Sequence, residues 1–162
     1  ALSYNPSSNM FLGDGVTPIP KWLARGIPVT LGVDGGCSNN QASIFGEMRM
    51  CALLQKVTAL DARAVTAEQV FDMGTANAEQ ALGLPIGSIA AGKRADFVAL
   101  DLADLSLLPV QQLRKNVVYA QSQKAVRDVF VDGRRVVKDG RLTTVTDEQV
   151  AEQVARLTAD WR

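Results

Sequence analysis

Residues 28–34, Pro-Val-Thr-Leu-Gly-Val-Asp, alternate between two kinds of side chain. In an extended strand Val29, Leu31 and Val33 fall on one face, and Thr30, Gly32 and Asp34 on the other. One greasy face and one small or polar face suit a barrel strand, packed outside on helices and looking inward on a lumen. The run stops at Asp34, and Gly35-Gly36-Cys37-Ser38-Asn39-Asn40 follows. Two readings of Asp34 stay open. Asp-Gly opens an ordinary turn, or the carboxylate serves a site at the end of the strand. In parallel βα architectures the carboxyl ends of strands converge on the ligand opening. A carboxylate there can bind a divalent metal, or shuttle a proton from a water that the ion acidifies.

The neighbouring segments support a βα rhythm. Leu2–Pro6 reads as the tail of a strand entering a polar loop that continues through Ser7-Ser8-Asn9 to Gly15. Thr17 is placed to cap a short helix over Ile19–Arg25, which Gly26 would end. Ile44–Ala59 is apolar on most of its circumference and reads as a helix packed on several sides. Thr66-x-x-Gln69 forms a capping box for a helical stretch to about Leu82, with Gly74-Thr75 as an interruption and Gly83 as its C′ residue. Strand and helix alternating in this way predict a parallel sheet. After Leu84–Gly87 the pattern changes. Ala95–Leu100 reads as a strand, Val110–Gln121 as a helix, and Val126–Val131 with Arg134–Val137 as a hairpin around Asp132-Gly133. A second Asp-Gly, Asp139-Gly140, ends the return strand, and Asp147–Trp161 reads as an amphipathic helix.

Composition removes several functions. Seventeen basic and seventeen acidic residues cancel, so no net field argues for nucleic acid or an anionic membrane as partner. No stretch approaches the roughly 18 apolar residues of a membrane helix, and ALSYNPSSN lacks the layout of a signal peptide. Two cysteines, Cys37 and Cys51, make no disulfide framework, so a reducing, cytoplasmic compartment is expected. Histidine is absent. That zero excludes a Ser-His or Cys-His pair and a histidine-based metal cluster within this chain.

GVDGGCSNN, preceded by NPSSNMFLGDGVTPI and followed by EMRMCALLQK, resembles the C-terminal part of the amidohydrolase superfamily. The group it resembles is the cytosine deaminase-like enzymes, which include S-adenosylhomocysteine deaminases, guanine deaminases and triazine chlorohydrolases. GSIAAGKRADFVALDL and VRDVFVDGRRVVKDGRL resemble the small β-sandwich of the same family. The resemblance implies an α/β fold: the last βα units of a (β/α)₈ barrel of the TIM type over 1–84, part of the sandwich over 85–146, and a terminal helix over 147–162. It implies that Asp34 ends the eighth barrel strand, ligates one zinc or iron ion and helps transfer protons. The remaining ligands would be histidines outside this chain. The expected function is hydrolysis of a C–N bond, or a related bond, on a small nitrogen heterocycle. Because two strands cannot close a barrel, the segment is expected to be a fragment, inactive alone and completed by the rest of its barrel or by a second chain, in an assembly that is a homo-oligomer.

Two departures from the family pattern stand out. Tyr4-Asn5-Pro6 replaces a histidine-containing triplet, so Tyr4 could give only a neutral hydrogen bond to a metal-bound hydroxide or to substrate. Val33 replaces a threonine. Ser38, Asn39 and Asn40 read either as support for the metal ligand and the substrate or as a helix-capping loop. Cys37 has no base beside it and reads as small-residue packing. Gly87–Lys93 fits G-x-x-x-x-G-K, yet Arg94 stands where a phosphate loop needs Ser or Thr, and a helix precedes it where a strand should. It reads as a turn leading to a solvated strand entrance, Lys93–Asp96. Met48, Met50 and Met73 read as core fillers. The alternatives to the hydrolase are a non-catalytic association module and, more remotely, a phosphate- or nucleotide-binding protein using Gly87–Lys93.

Overall fold

The computed structural model describes residues 1–161. Two sheets of different kind divide the chain. Strands β1 (Leu2–Tyr4) and β2 (Val29–Leu31) pair in parallel, Leu2 facing Val29 and Tyr4 facing Leu31. Between them run helices α1 (Pro6–Leu12) and α2 (Ile19–Leu23), and after them α3 (Ile44–Ala59), α4 (Ala67–Met73) and α5 (Asn77–Leu82). Then β3 (Phe97–Leu100), β4 (Val126–Val131), β5 (Arg134–Lys138) and β6 (Arg141–Leu142) form an antiparallel sheet in sequence order, with α6 (Leu113–Tyr119) inserted after β3. Helix α7 (Asp147–Leu157) follows. Arg162, the last residue of the expected terminal helix, lies outside the described residues.

The parity of the parallel strands fixes which face is covered. Tyr4, Val29 and Leu31 point into one core with Met48 and Cys51 of α3 and Val70 of α4. Ser3 and Thr30, paired with each other, point the opposite way. A smaller cluster of Leu107, Val117 and Ala125 takes in Phe45, Phe71 and Leu100, and so joins the helices to the second sheet. Each aliphatic side chain buried in these clusters is worth about 2 kcal/mol.

Several sequence expectations need correction. The polar run Ser7-Ser8-Asn9 is helical, within α1, with Pro6 at the first position where its missing N–H costs nothing. Thr17 caps nothing through its side chain. The first residue before α2 is Pro18, and the amide of Ile19 is shared between the Thr17 carbonyl at 2.9 Å and buried Gln55 of α3, whose Oε1 accepts it at 3.1 Å while Nε2 donates to the Thr17 carbonyl at 2.9 Å. Helix α2 stops at Leu23, and β2 stops at Leu31, three residues before Asp34. Asp139-Gly140 ends the return strand β5 as expected, and both residues have positive φ, 49° and 74°; what the sequence reading lacks is the two-residue strand β6 into which they turn the chain. Asp132-Gly133 makes the expected tight hairpin, with φ of 50° and 75°. Thr66 and Gln69 make both bonds of the capping box.

Candidate functional site

The start of helix α1, which follows β1, and the loop after β2 meet beyond the carboxyl ends of the parallel strands, and the meeting point is Asp34. Ser8, in the first turn of α1, donates its hydroxyl to Asp34 Oδ2 at 2.6 Å. Ser38 donates to the same oxygen at 3.1 Å, and the two hydroxyl oxygens lie 2.9 Å apart. Both serines are buried and Asp34 is exposed. Among the described residues Oδ1 receives no side-chain hydrogen bond. These hydroxyls, Ser8 first, together with the Gly35 backbone hold the Asp34 carboxyl below its ordinary value of 3.8, because each donor favours the charged form. The residue has φ +61°, a left-handed backbone that costs a non-glycine residue about 1 kcal/mol or more. Such strain persists where surrounding contacts hold it.

Two of the other sequence candidates join this arrangement and two do not. Ser38 bonds Asp34 directly. Asn39 donates through Nδ2 to the Val33 carbonyl at 2.8 Å and to Glu47 Oε1 at 2.8 Å, while its Oδ1 accepts the Gln41 amide at 3.0 Å. Asn40 is exposed, and among the described residues its side chain makes no hydrogen bond. Tyr4 requires a correction. It is 2% exposed in the core with Leu31 and Cys51, on the face of β1 that packs against α3, so its hydroxyl is turned away from the Ser3 and Thr30 face. Burial, with Cys51 and Glu47 nearby, pushes its pKa up to about 12. Burial does the same to Cys51, also to about 12. Cys37 is exposed rather than packed.

Two residues of the site were not singled out in the sequence. Ser8 sat inside an apparent loop. Glu47, in the first turn of α3, is buried, and its Oε2 accepts the Ser7 amide at 3.0 Å. The only sequence signal for it was an acidic residue in the first turn of an otherwise greasy helix.

The Gly87–Lys93 segment has its own structural explanation. Lys93 bonds Glu79 of α5, and Ser88 at 2.7 Å, and so is half-buried rather than solvated. Gly87, at φ +81°, passes so close to the link between α4 and α5 that a Cβ would lie 2.7 Å from the Thr75 carbonyl. The turn clasps the helix before it. An apolar cleft of about 340 Å³ lies beside it between α3, α4 and β3, lined by Phe45, Phe71 and Phe97 among others; Asp34 is not part of that cleft.

No group of three or more His, Cys, Asp or Glu side chains able to hold a metal occurs among the described residues. No helix among them is long and apolar enough to cross a membrane.

Comparison with known proteins places these observations in context. The model of the Amidohydrolase family matches residues 2–136. A 5-methylthioadenosine/S-adenosylhomocysteine deaminase of Syntrophobacter fumaroxidans is 42% identical over 153 residues, 93% of this chain and 35% of that protein. A 5′-deoxyadenosine deaminase of Methanothermobacter thermautotrophicus is 42% identical over 159 residues, 98% of this chain and 37% of that protein. The crystal structure of an adenosine deaminase from Xanthomonas campestris with bound zinc superposes with a TM-score of 0.88 at 32% identity, over 98% of this chain and 36% of that one. The zinc complex of atrazine chlorohydrolase from Arthrobacter aurescens, at 22% identity, shares the fold with a TM-score of 0.87. The chain thus spans little more than a third of the length of the curated relatives it matches.

Proposed function

The chain belongs to the amidohydrolase family, and from that premise we propose that it is the C-terminal part of a longer metal-dependent hydrolase that removes the amino group from the purine of an adenosine-type nucleoside. The observation that carries the reading is Asp34. It is an ionised carboxylate beyond the end of a parallel strand, gripped on one oxygen by hydroxyls from helix α1 and from the loop after β2, and among the described residues without side-chain bonds on the other. The names of the relatives support the substrate class. The lengths support the larger protein, as does a parallel sheet of two strands, since a barrel of this type closes with about eight.

A catalytic zinc takes three protein ligands and leaves one position open. The residues of this chain would supply one ligand, the Asp34 carboxylate, and the remaining ligands would belong to segments outside it. When bound, a divalent cation supplies the Lewis acidity that makes water a nucleophile near neutral pH. The chain's own contribution is electrostatic and protonic. Ser8 and Ser38 keep Asp34 charged, which suits a ligand. The carboxylate also takes the proton that water gives up on adding to the ring carbon, and returns it to the departing amine nitrogen. A base this weak holds the proton only in passing.

The test is Asp34→Asn in the full-length protein, read as ammonia released from 5′-deoxyadenosine. The expected loss is about a thousandfold or more, equivalent to roughly 4 kcal/mol of barrier, with an unchanged circular dichroism spectrum. Activity within tenfold of the parent would end the assignment.

A further inference from the structure

Glu47 is a buried ionisable residue that the chemistry above does not use. It is 1% exposed, stands in the first turn of α3, and among the described residues has no cation within ion-pair distance. A carboxylate taken out of water is costly unless hydrogen-bonded, and a helix N-terminus offsets only part of that. A methionine or leucine would fill the space more cheaply. What Glu47 does with its charge is specific. Oε2 accepts the amide of Ser7, and Oε1 accepts Nδ2 of Asn39. Ser7 is the second residue of α1, a helix whose N-cap Asn5 makes no side-chain capping bond, so Glu47 satisfies an orphan amide there from 40 residues away. The next residue, Ser8, gives its hydroxyl to Asp34. On the other side Asn39 also holds the Val33 carbonyl, in the peptide that leads into the left-handed backbone of Asp34. Two lines of contact leave Glu47 and close on Asp34, one at its carboxylate and one at its backbone.

We propose that Glu47 is the positioning residue for Asp34, tying the start of α1 to the loop after β2 without touching metal or substrate. The inference rests on the reading of Asp34 as a metal ligand. Both Glu47 oxygens must act as acceptors. Glutamine presents an NH₂ to one of two donors, Ser7 N–H or Asn39 Nδ2–H, and so releases one of the two segments. Partners that orient a ligand in this way change metal affinity by about 10–100-fold.

The experiment compares Glu47→Gln, Asn39→Ala and Asp34→Asn with the parent full-length protein. It measures zinc affinity by competition with a chelator, kcat and KM for 5′-deoxyadenosine, and the thermal midpoint of the apo-protein. Glu47→Gln is expected to weaken zinc binding by about tenfold or more and to lower kcat to a similar extent, with KM within about twofold. Asn39→Ala, which cuts the same link from its more exposed end, moves both quantities in the same direction by less, and is decisive should Glu47→Gln not fold. A lowered thermal midpoint with parental zinc affinity overturns the proposal, since that is what a merely structural residue would give. If Asp34→Asn loses zinc while Glu47→Gln and Asn39→Ala keep it, only the positioning role falls. If Asp34→Asn keeps parental affinity, the reading of Asp34 falls, and the role of Glu47 with it.

Discussion

Asp128 in β4 is 1% exposed, with Arg127 Nε 2.9 Å from Oδ2 and Arg135 Nη2 3.0 Å from Oδ1. The backbone of Asp139, at the turn into β6, donates to Oδ1 at 3.3 Å. These donors, Arg127 foremost, hold the carboxyl below its ordinary 3.8. A folded-state value below the unfolded one means that its stabilisation is present above the unfolded value and lost as pH falls through the folded one. Asp128→Asn should therefore lower the thermal midpoint at about pH 7, and the gap from the parent should close as pH drops below 3.8. Melting curves across that range check it; a gap that stays constant into strong acid would show that the ion pairs are not its source. Asp34 keeps its charge by other means, with hydroxyls and the Gly35 backbone in place of guanidinium groups. That difference separates a carboxylate that anchors a sheet through ion pairs from one held by hydroxyls alone among its side-chain partners.

Gly87 is the element-scale counterpart, because two connecting segments meet with no room between them. Gly87→Ala must place a methyl group against the Thr75 carbonyl and Ala76 while holding a φ that alanine disfavours. A loss of roughly 1–3 kcal/mol is expected, seen as a lower urea midpoint with an unchanged slope; an unaltered midpoint would mean that the loop shifts freely. The elements legible in the sequence were those whose determinants are local. Helix α3 had its apolar surface, α4 its capping box, and the β4–β5 hairpin its Asp-Gly pair. The ones missed depend on partners far along the chain. Helix α1 reads as a loop because the group that meets its free amide is Glu47, and α2 takes its side-chain cap from Gln55, 36 residues away. Strand β6 has two residues, too few to show alternation. At the site, Asp34, Ser38 and Asn39 were legible because the strand-ending pattern marked their loop. The direction of Tyr4 was not, since it follows from the parity of its pairing with Leu31, and a one-residue slip would turn it over.

At the scale of the whole molecule, much apolar surface has nothing over it. Phe11 is 67% exposed and Leu12 58%, and every residue of α7 is exposed, including Val150, Val154 and Leu157 on one side of that helix. Surface of this kind marks contacts with other protein. The 162-residue chain prepared by itself should sediment as concentration-dependent oligomers, whereas a compact monomer at all concentrations would show that these residues tolerate water. The clasp at residues 87–93 governs how the two sheets relate. Gly87 seats the connection against the link between α4 and α5, and Lys93 fastens it to Glu79 and Ser88. In mechanical terms this is a joint pinned at two points, so the strand that opens the second sheet leaves from a seat on the helical layer and not from a free tether.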